Sequence, residues 1–368
     1  MQSLEREKNY ESFGNSLSRI AYAYGFSNTP VVIPKKSLST STAISQKTQA
    51  SLALVKGHIP SSGPLQSWGS SHAGKAGTLL SFAIFASKQA VAHAIVVKTV
   101  LSIAEVAHVN DLSVLVSSVG DAESRRRFTR ELTNFFKKNS ENVMPDVKHI
   151  AVHDPDRAYL AMMEKQDPVI DKAPRPIDFL SENSRKTMLE TLSFFESIGI
   201  PYSLESRLPA ATGIQSELLF AVEGMNKRGE KTRIAEGGRF DEAIKQGKSQ
   251  GEVAVSMSMS VEKSVDPEVP RDEPACFVVH VGDIAKLKAF SAIESLWRSN
   301  FLVGEALMGA SLRDQMQRAQ TVNSRYVVII GQREALDGTV MVRNLATQMQ
   351  VTIPMDKLPG YIGRTHSR

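Results

Sequence analysis

The sequence predicts an α+β chain in two parts: a larger N-terminal body of helices and short strands, and a small C-terminal α/β domain. Three observations carry this expectation. The chain has 368 residues, 42% hydrophobic and 23% charged, an ordinary globular composition with length enough for two cores. The stretch Val261–Ala275, VEKSVDPEVPRDEPA, combines three prolines with alternating charge, as a linker does. Beyond it, strands and helices alternate at short spacing, the pattern of helices packed on a sheet. The expected boundaries are 1–262 for the body, 263–274 for the linker and 275–363 for the small domain.

The elements follow in order. Tyr10 to Tyr24 has helical spacing and stops near Gly25. Residues 36–51 are rich in Ser and Thr, and residues 60–78 in Gly, Ser and Pro, so both read as loop. Leu79–Ala86 has strand character. Gln89–Val109 is the longest apolar stretch, and Lys98 and Glu105 interrupt it. Charges at mid-membrane depth are costly, so it reads as a buried helix of a soluble fold. Asp111–Val119 alternates like a strand. Asp121 then stands where a cap belongs, ahead of a helix whose Phe128, Leu132, Phe135 and Phe136 share one face. Ser181–Ile198 is a second long helix closed by Gly199. Ile200–Leu204, Leu218–Val222, Lys231–Ala235 and Val253–Val261 read as strands. In the small domain, strands at Cys276–Val281, Phe301–Leu307 and Tyr326–Ile330 alternate with helices at Ile284–Trp297 and Leu312–Thr321. Thr339–Val342 and Gln350–Ile353 form a closing hairpin pair.

Charge and cysteine narrow the function classes. Lysines and arginines number 44 against 39 acidic residues, a net charge of +5. About 11 of the former and about 7 of the latter lie beyond residue 274, so the basic surplus belongs to the small domain. That permits a nucleic-acid partner. A single cysteine, Cys276, excludes a disulfide scaffold and a thiolate metal cluster. The polar N-terminus MQSLEREKNYESFG lacks a signal-peptide core, so the expectation is a cytoplasmic chain without a membrane partner.

Several motifs compete with plainer readings. Gly69–Ala76, GSSHAGKA, falls one residue short of the phosphate-loop pattern, with Ala76 where a hydroxyl belongs; a flexible loop is the better reading. His149 and His153 are four apart, but no third ligand is nearby, so no metal site is expected. Arg125, Arg126, Arg127, Arg130, Lys137 and Lys138 could meet phosphates, although Glu123 and Glu131 dilute the field. AEGGRFDEAI, residues 235–244, sets flexible backbone beside a cation and a carboxylate. Either a ligand approaches that backbone, or a strand ends in a turn before a helix.

AEGGRFDEAI resembles the GGRYDGL signature of class II histidyl-tRNA synthetases. Val116–Phe136 resembles that family's NSxGD…R segment, and Pro176–Leu208 its DYLxxxSR…GIPYxxxxRL segment. Arg325–Leu358 is similar to its anticodon-binding domain. The resemblance covers most of residues 80–360 and implies a class II antiparallel catalytic sheet, a homodimer, and histidine activation with ATP and Mg²⁺ before transfer to its tRNA. Such chemistry rests on cations around the phosphate and on residues that orient the amino acid.

Residue by residue, the resemblance is uneven. The first histidine motif, RLVRGLDYYT, falls on RLPAATGIQS, residues 207–216. Its second arginine becomes Ala210, its aspartate Gly213, and its two tyrosines Ile214 and Gln215. The ATP-binding motif 2 is compressed to about residues 67–82, where Lys75 is the only cation. Motif 3 ends in SVEK, with Lys263 in place of arginine, which keeps the charge but loses the planar fork. Gly25 and Phe26 of motif 1 are in place. In the second histidine motif Gly237, Gly238, Arg239 and Asp241 match, and Phe240 replaces tyrosine. Arg239, Lys263 and Lys75 are therefore the residual catalytic candidates. Arg313, Arg318, Arg325, Arg333 and Arg343 are candidate RNA contacts. The expectation is a synthetase-like, tRNA-binding protein with impaired chemistry. The alternatives are a divergent active histidine–tRNA ligase using ATP and Mg²⁺, or a histidine sensor like the regulatory subunit of ATP phosphoribosyltransferase.

Overall fold

The computed structural model describes residues 2–28, 45–57, 65–72, 77–211, 213–225, 229–245, 253–261, 274–309 and 311–366, with backbone alone at 2–12, 72, 245 and 366. Two sheets organise it, a large antiparallel-rich one and a smaller mixed one.

The first half opens with α1 (Gln2–Ala23), the short β1 (Ser27–Asn28) and α2 (Gln46–Gly57). β2 (Leu65–His72) and β3 (Thr78–Phe85) pair antiparallel over their full length, and α3 (Ala90–Val106) follows. Next come β4 (Asn110–Gly120), α4 (Ala122–Lys138), α5 (Pro145–Ala151), α6 (Pro155–Lys165) and α7 (Glu182–Ser197). β5 (Tyr202–Leu204), β6 (Ser216–Met225), β7 (Lys231–Arg239), α8 (Asp241–Lys245) and β8 (Ala254–Val261) complete the first sheet, whose order is β1-β2-β3-β8-β7-β6-β4-β5.

Two stretches read as loop are regular structure. Residues 46–57 form α2, and 65–72 form β2. Neither carries a strong pattern of its own, because tertiary contacts supply what composition lacks. Leu54 and Val55 of α2 bury against Ala83, Phe85 and Ala254. Trp68 of β2 stacks on Phe82 with ring centroids 6.0 Å apart. β3 is buried at every position, since Leu80, Phe82 and Ile84 face the main core while Ala83 and Phe85 face α2. α3 is buried from Ala90 to Ala104, Lys98 included. No described helix is long and apolar enough to cross a membrane.

The helical arm α4–α6 has its own small core. Phe128, Leu132, Phe135 and Phe136 pack with Val147, Tyr159 and Met162, as the spacing predicts. Asp121 caps α4 through Ser124 N at 2.8 Å and accepts from Ser181 Oγ at 2.9 Å, which ties the start of α4 to that of α7. His149 lies in α5 but His153 lies beyond its end, with ring centroids 6.3 Å apart.

The second sheet holds β9 (Cys276–His280), β10 (Val303–Glu305), β11 (Tyr326–Ile330), β12 (Thr339–Asn344) and β13 (Gln350–Pro354), ordered β10-β9-β11-β12-β13. β9, β10 and β11 run parallel, and β12 and β13 close as an antiparallel hairpin. α9 (Asp283–Arg298), α10 (Leu312–Thr321), α11 (Gln332–Asp337) and α12 (Leu358–His366) cover it.

The two sheets share one core. Phe290 of α9 meets Phe194 of α7 at 6.3 Å between ring centroids. Glu294 of α9 is 4% exposed; it pairs with Lys98 of α3 at 3.0 Å and accepts a hydrogen bond from the Tyr24 hydroxyl. Burial and the Glu294 carboxylate together hold the Tyr24 phenol well above its ordinary pKa. A second carboxylate, Glu305 of β10, accepts from Gln66 Nε2 at 3.4 Å, and the same nitrogen donates to the Tyr24 carbonyl at 2.9 Å. Burial pushes the Glu305 carboxyl up.

Candidate functional site

β7 carries the Gly-Gly-Arg-Phe-Asp segment, and the first three residues lie within the strand rather than in a turn. A β-carbon on Gly237 would come within 2.2 Å of the Ser256 carbonyl oxygen, and one on Gly238 within 2.5 Å of the Leu218 carbonyl oxygen. Glycine is required there by the backbones of β8 and β6. Arg239 is 4% exposed and pairs across from Val255, on the face of the sheet that holds the main core. Its Nε donates to Asp241 Oδ2 at 2.7 Å and its Nη2 to the Ser87 carbonyl at 3.4 Å. Asp241 Oδ1 accepts from Ala254 N at 3.1 Å. Phe240 is fully buried beside Leu54 and Ala243. The segment thus fastens β7 to β8 and to α8.

His93 of α3 lies near this arginine. Burial and then the Arg239 charge push its imidazole down to about 3. The neutral ring points Nδ1 at the Ala90 carbonyl, 3.3 Å away, and lies 5.8 Å from the Phe220 ring. No local pattern foreshadows this pairing, because 146 positions separate the two residues and only the packing of α3 under the sheet joins them.

The opposite face lies under α2. There β2, β3 and β8 contribute no arginine or lysine. Ser258 Oγ bonds Ser81 Oγ at 2.6 Å and Ser51 Oγ at 2.8 Å. A triphosphate needs cations, and Mg²⁺ needs oxygens free to ligate. Ser71 and Ser256, placed on this same face by the strand register, keep buried hydroxyls with no partner among the described residues. The described residues of these three strands thus lack the cations that ATP needs. Lys75 and Lys263 lie outside the described residues. Further along the face, Ser45 donates to Glu236, whose carboxylate also stands 3.7 Å from Arg233. The space left there, between Thr48, Gln215 and Gly237, is about 70 Å³.

Residues 208–211 and 213–215 separate that small space from a larger one. Ala211 N donates to Gln215 Oε1 at 2.9 Å, and Ile214 N to the Ala211 carbonyl at 3.0 Å, so the segment turns on itself. Ile214 packs towards Phe240 and α8. Ala210, Gly213 and Gln215 face a cavity of about 460 Å³ between this segment, α4 and α6. Three of the four positions where the sequence departs from the first histidine motif therefore line one cavity. Sequence reasoning missed it, since its walls come from segments far apart in the chain.

The candidate RNA contacts are spread over the second sheet and its helices. Arg313 and Arg318 are exposed on α10. Arg325 is exposed, and its guanidinium lies 5.4 Å from the centroid of the Tyr326 ring. Arg333 of α11 pairs with Asp337 at 3.5 Å. Arg343 of β12 is half-buried and donates to Gln348. On α4, Arg125 pairs with Glu242, Arg127 with Glu123 and Arg130 with Glu131, which lowers the field that this helix presents to phosphates.

With this geometry in hand, comparison with known proteins gives a consistent result. The family described as an anticodon binding domain matches residues 275–365. Histidine–tRNA ligase of Thermosynechococcus vestitus is 26% identical over 276 residues, which is 73% of this chain and 63% of that protein. The same enzyme of Caldanaerobacter subterraneus is 25% identical over 282 residues, 75% of this chain and 67% of that protein. The matched stretch thus spans about two thirds or less of these relatives. Apo histidyl-tRNA synthetase of S. aureus superposes with a TM-score of 0.57 at 19% identity, covering 97% of this chain and 96% of that one, which identifies the fold.

Proposed function

This chain is a histidyl-tRNA synthetase-like protein with an anticodon-binding domain, and from that premise we propose that it binds tRNA without activating histidine. The reading divides it into a synthetase-like body at 1–262, a linker at 263–274 and an RNA-binding domain at 275–363. The observation that carries it is the disposition of cations. Arg239, the one arginine retained in the histidine motifs beyond Arg207, is buried and held by Asp241 and the Ser87 carbonyl. Arg207 itself pairs with Asp171 at 2.8 Å and donates to the Ile170 carbonyl at 3.1 Å. Ala210 offers no charge to a phosphate, and Ile214 offers no hydroxyl to an imidazole.

Losing one preorganised donor costs about 10²–10³ in rate. Losses at several positions of one step remove most of the chemistry, although such effects do not simply add. The basic surplus beyond residue 274, with Arg313, Arg318 and Arg325 exposed, supports RNA as the partner. Histidine-specific tRNA is the first candidate, and a homodimer is the expected assembly.

Two measurements on the full chain test this reading. Histidine-dependent pyrophosphate exchange should be absent in folded protein. Robust exchange that disappears in Arg239→Ala would overturn the loss of activity and make the chain a divergent ligase. Binding of tRNA should weaken steeply with salt, and Arg313→Ala should reduce the slope of log K against log salt by about 1. An affinity that ignores salt would remove RNA from the account.

A further inference from the structure

We propose that the cavity between α4, α6 and residues Leu208, Ala210, Gly213 and Gln215 binds a free apolar α-amino acid, at a site separate from the space beneath α2. Its volume of about 460 Å³ is in the range of small-molecule sites. Phe128, Leu160, Met163, Pro176, Leu208 and Ala210 give it a largely apolar wall. Two opposite charges stand in that wall without an ion pair among the described residues: Arg126 of α4 and Asp156 of α6. The neighbouring Arg125 is paired with Glu242 at 3.0 Å; burial raises the Asp156 carboxyl, while the Thr129 hydrogen bond and the Arg125 charge lower it, and Arg126 is the cation of this wall without an ion pair among the described residues.

Thr129 connects the two charges. Thr129 Oγ1 lies 2.9 and 3.1 Å from the Asp156 oxygens. One hydroxyl proton leaves most of the carboxylate's acceptor capacity free. Thr129 and Arg126 are three apart on α4 and therefore neighbours on its surface, about 5–6 Å between β-carbons. Arg126 and Asp156 thus line one cavity, with Thr129, the Asp156 partner, on the same helix as Arg126. An α-carboxylate on Arg126 and an α-ammonium on Asp156 answer both charges, and the side chain enters the apolar body. A simple anion leaves Asp156 unanswered, and a simple cation leaves Arg126 so. The polar groups this wall offers a side chain are the Tyr159 hydroxyl and Gln215; the rest is largely apolar, so a large apolar side chain covers more of it than an imidazole does. Ala210 and Gly213, small where the family motif carries arginine and aspartate, leave the room that the side chain takes.

Calorimetric titration of the full chain with L-tryptophan, 3-indolepropionate, tryptamine and L-histidine tests the site. Tryptophan should bind at least about tenfold more tightly than either analogue lacking one charge, since each lost charged hydrogen bond is worth that much. Arg126→Gln should erase the preference over tryptamine, and Asp156→Asn the preference over 3-indolepropionate. Ala210→Trp, with an unchanged circular dichroism spectrum, should abolish binding of all the indoles. Equal binding of tryptophan and its two analogues, binding that survives Ala210→Trp, or histidine binding as tightly as tryptophan would each overturn the proposal. None of these readouts depends on pyrophosphate exchange or on tRNA, so this site and the proposed RNA-binding role fail independently.

Discussion

Lys98 interrupts the longest apolar stretch of the sequence, and Glu294, 196 positions later, explains it. Both are nearly fully buried and stand 3.0 Å apart. Removing one partner of such a pair strands the other charge and costs about 3–5 kcal/mol, whereas replacing both by apolar groups is often close to neutral. Glu294→Ala should therefore lower urea stability by that amount, and Lys98→Met with Glu294→Leu should recover most of it. A double variant as unstable as the single one would sink this account. His93 gives a pH dependence. Its folded pKa of about 3 lies below the ordinary value of about 6.5, so the unfolded chain takes up the proton first. The stability that neutral His93 contributes is complete above about pH 6.5 and drains as pH falls towards 3, by up to about 1.4 kcal/mol per pH unit. His93→Gln should show a shallower loss between pH 7 and pH 5 in thermal melts; an unchanged slope would contradict the burial argument. The GGRFD match was legible in sequence, but its meaning was not. The glycines answer to β6 and β8, and Arg239 to Asp241, because neighbouring strands come closer than any ligand could.

At the scale of elements, helices and strands with a periodic apolar face were legible: α4, α7, β4 and the strands of the second sheet stand where spacing put them. The cap on α4 is a case where a single residue announces an element. Asp121 accepts from Ser124 N, Ser124 Oγ and Ser181 Oγ, all within 2.9 Å. Ordinary cap loss costs about 1 kcal/mol. Asp121→Ala also releases α7, so it should cost more than that, while Asp154→Ala at the exposed start of α6 should cost about the ordinary amount; comparable losses in urea melts would mean that the bridge to α7 contributes nothing. α2 and β2 escaped sequence reasoning for a common reason. Their serines and threonines look like loop residues in isolation. In the fold they satisfy one another, as Ser51, Ser81 and Ser258 do, or let chains approach closely.

For the whole molecule, the shared core decides how it opens. Residues of both sheets belong to one buried cluster, and Glu294, Glu305 and Phe290 cross the seam. Burial lifts the Cys276 thiol to about 12 on β9, an interior strand of the second sheet, so it stays unreactive while β9 is in place. Trp68 reports on the first sheet. Iodoacetamide labelling of Cys276 in urea should follow the same midpoint as a fluorescence change lost in Trp68→Phe; labelling that begins at clearly lower urea would mean that the second sheet opens alone. By itself the sequence determined the two-part α+β plan, the basic second part, the single cysteine that excludes disulfides and the family resemblance, because periodicity, charge and short motifs are local; the expected linker at 263–274 lies almost wholly outside the described residues. The tertiary structure alone decided what those motifs do. Whether Arg239 is offered to a ligand or held by Asp241, which serines bond one another on one face of the sheet, and which distant walls enclose the cavity beside Ala210 depend on contacts between residues far apart in the chain, and no local pattern encodes those.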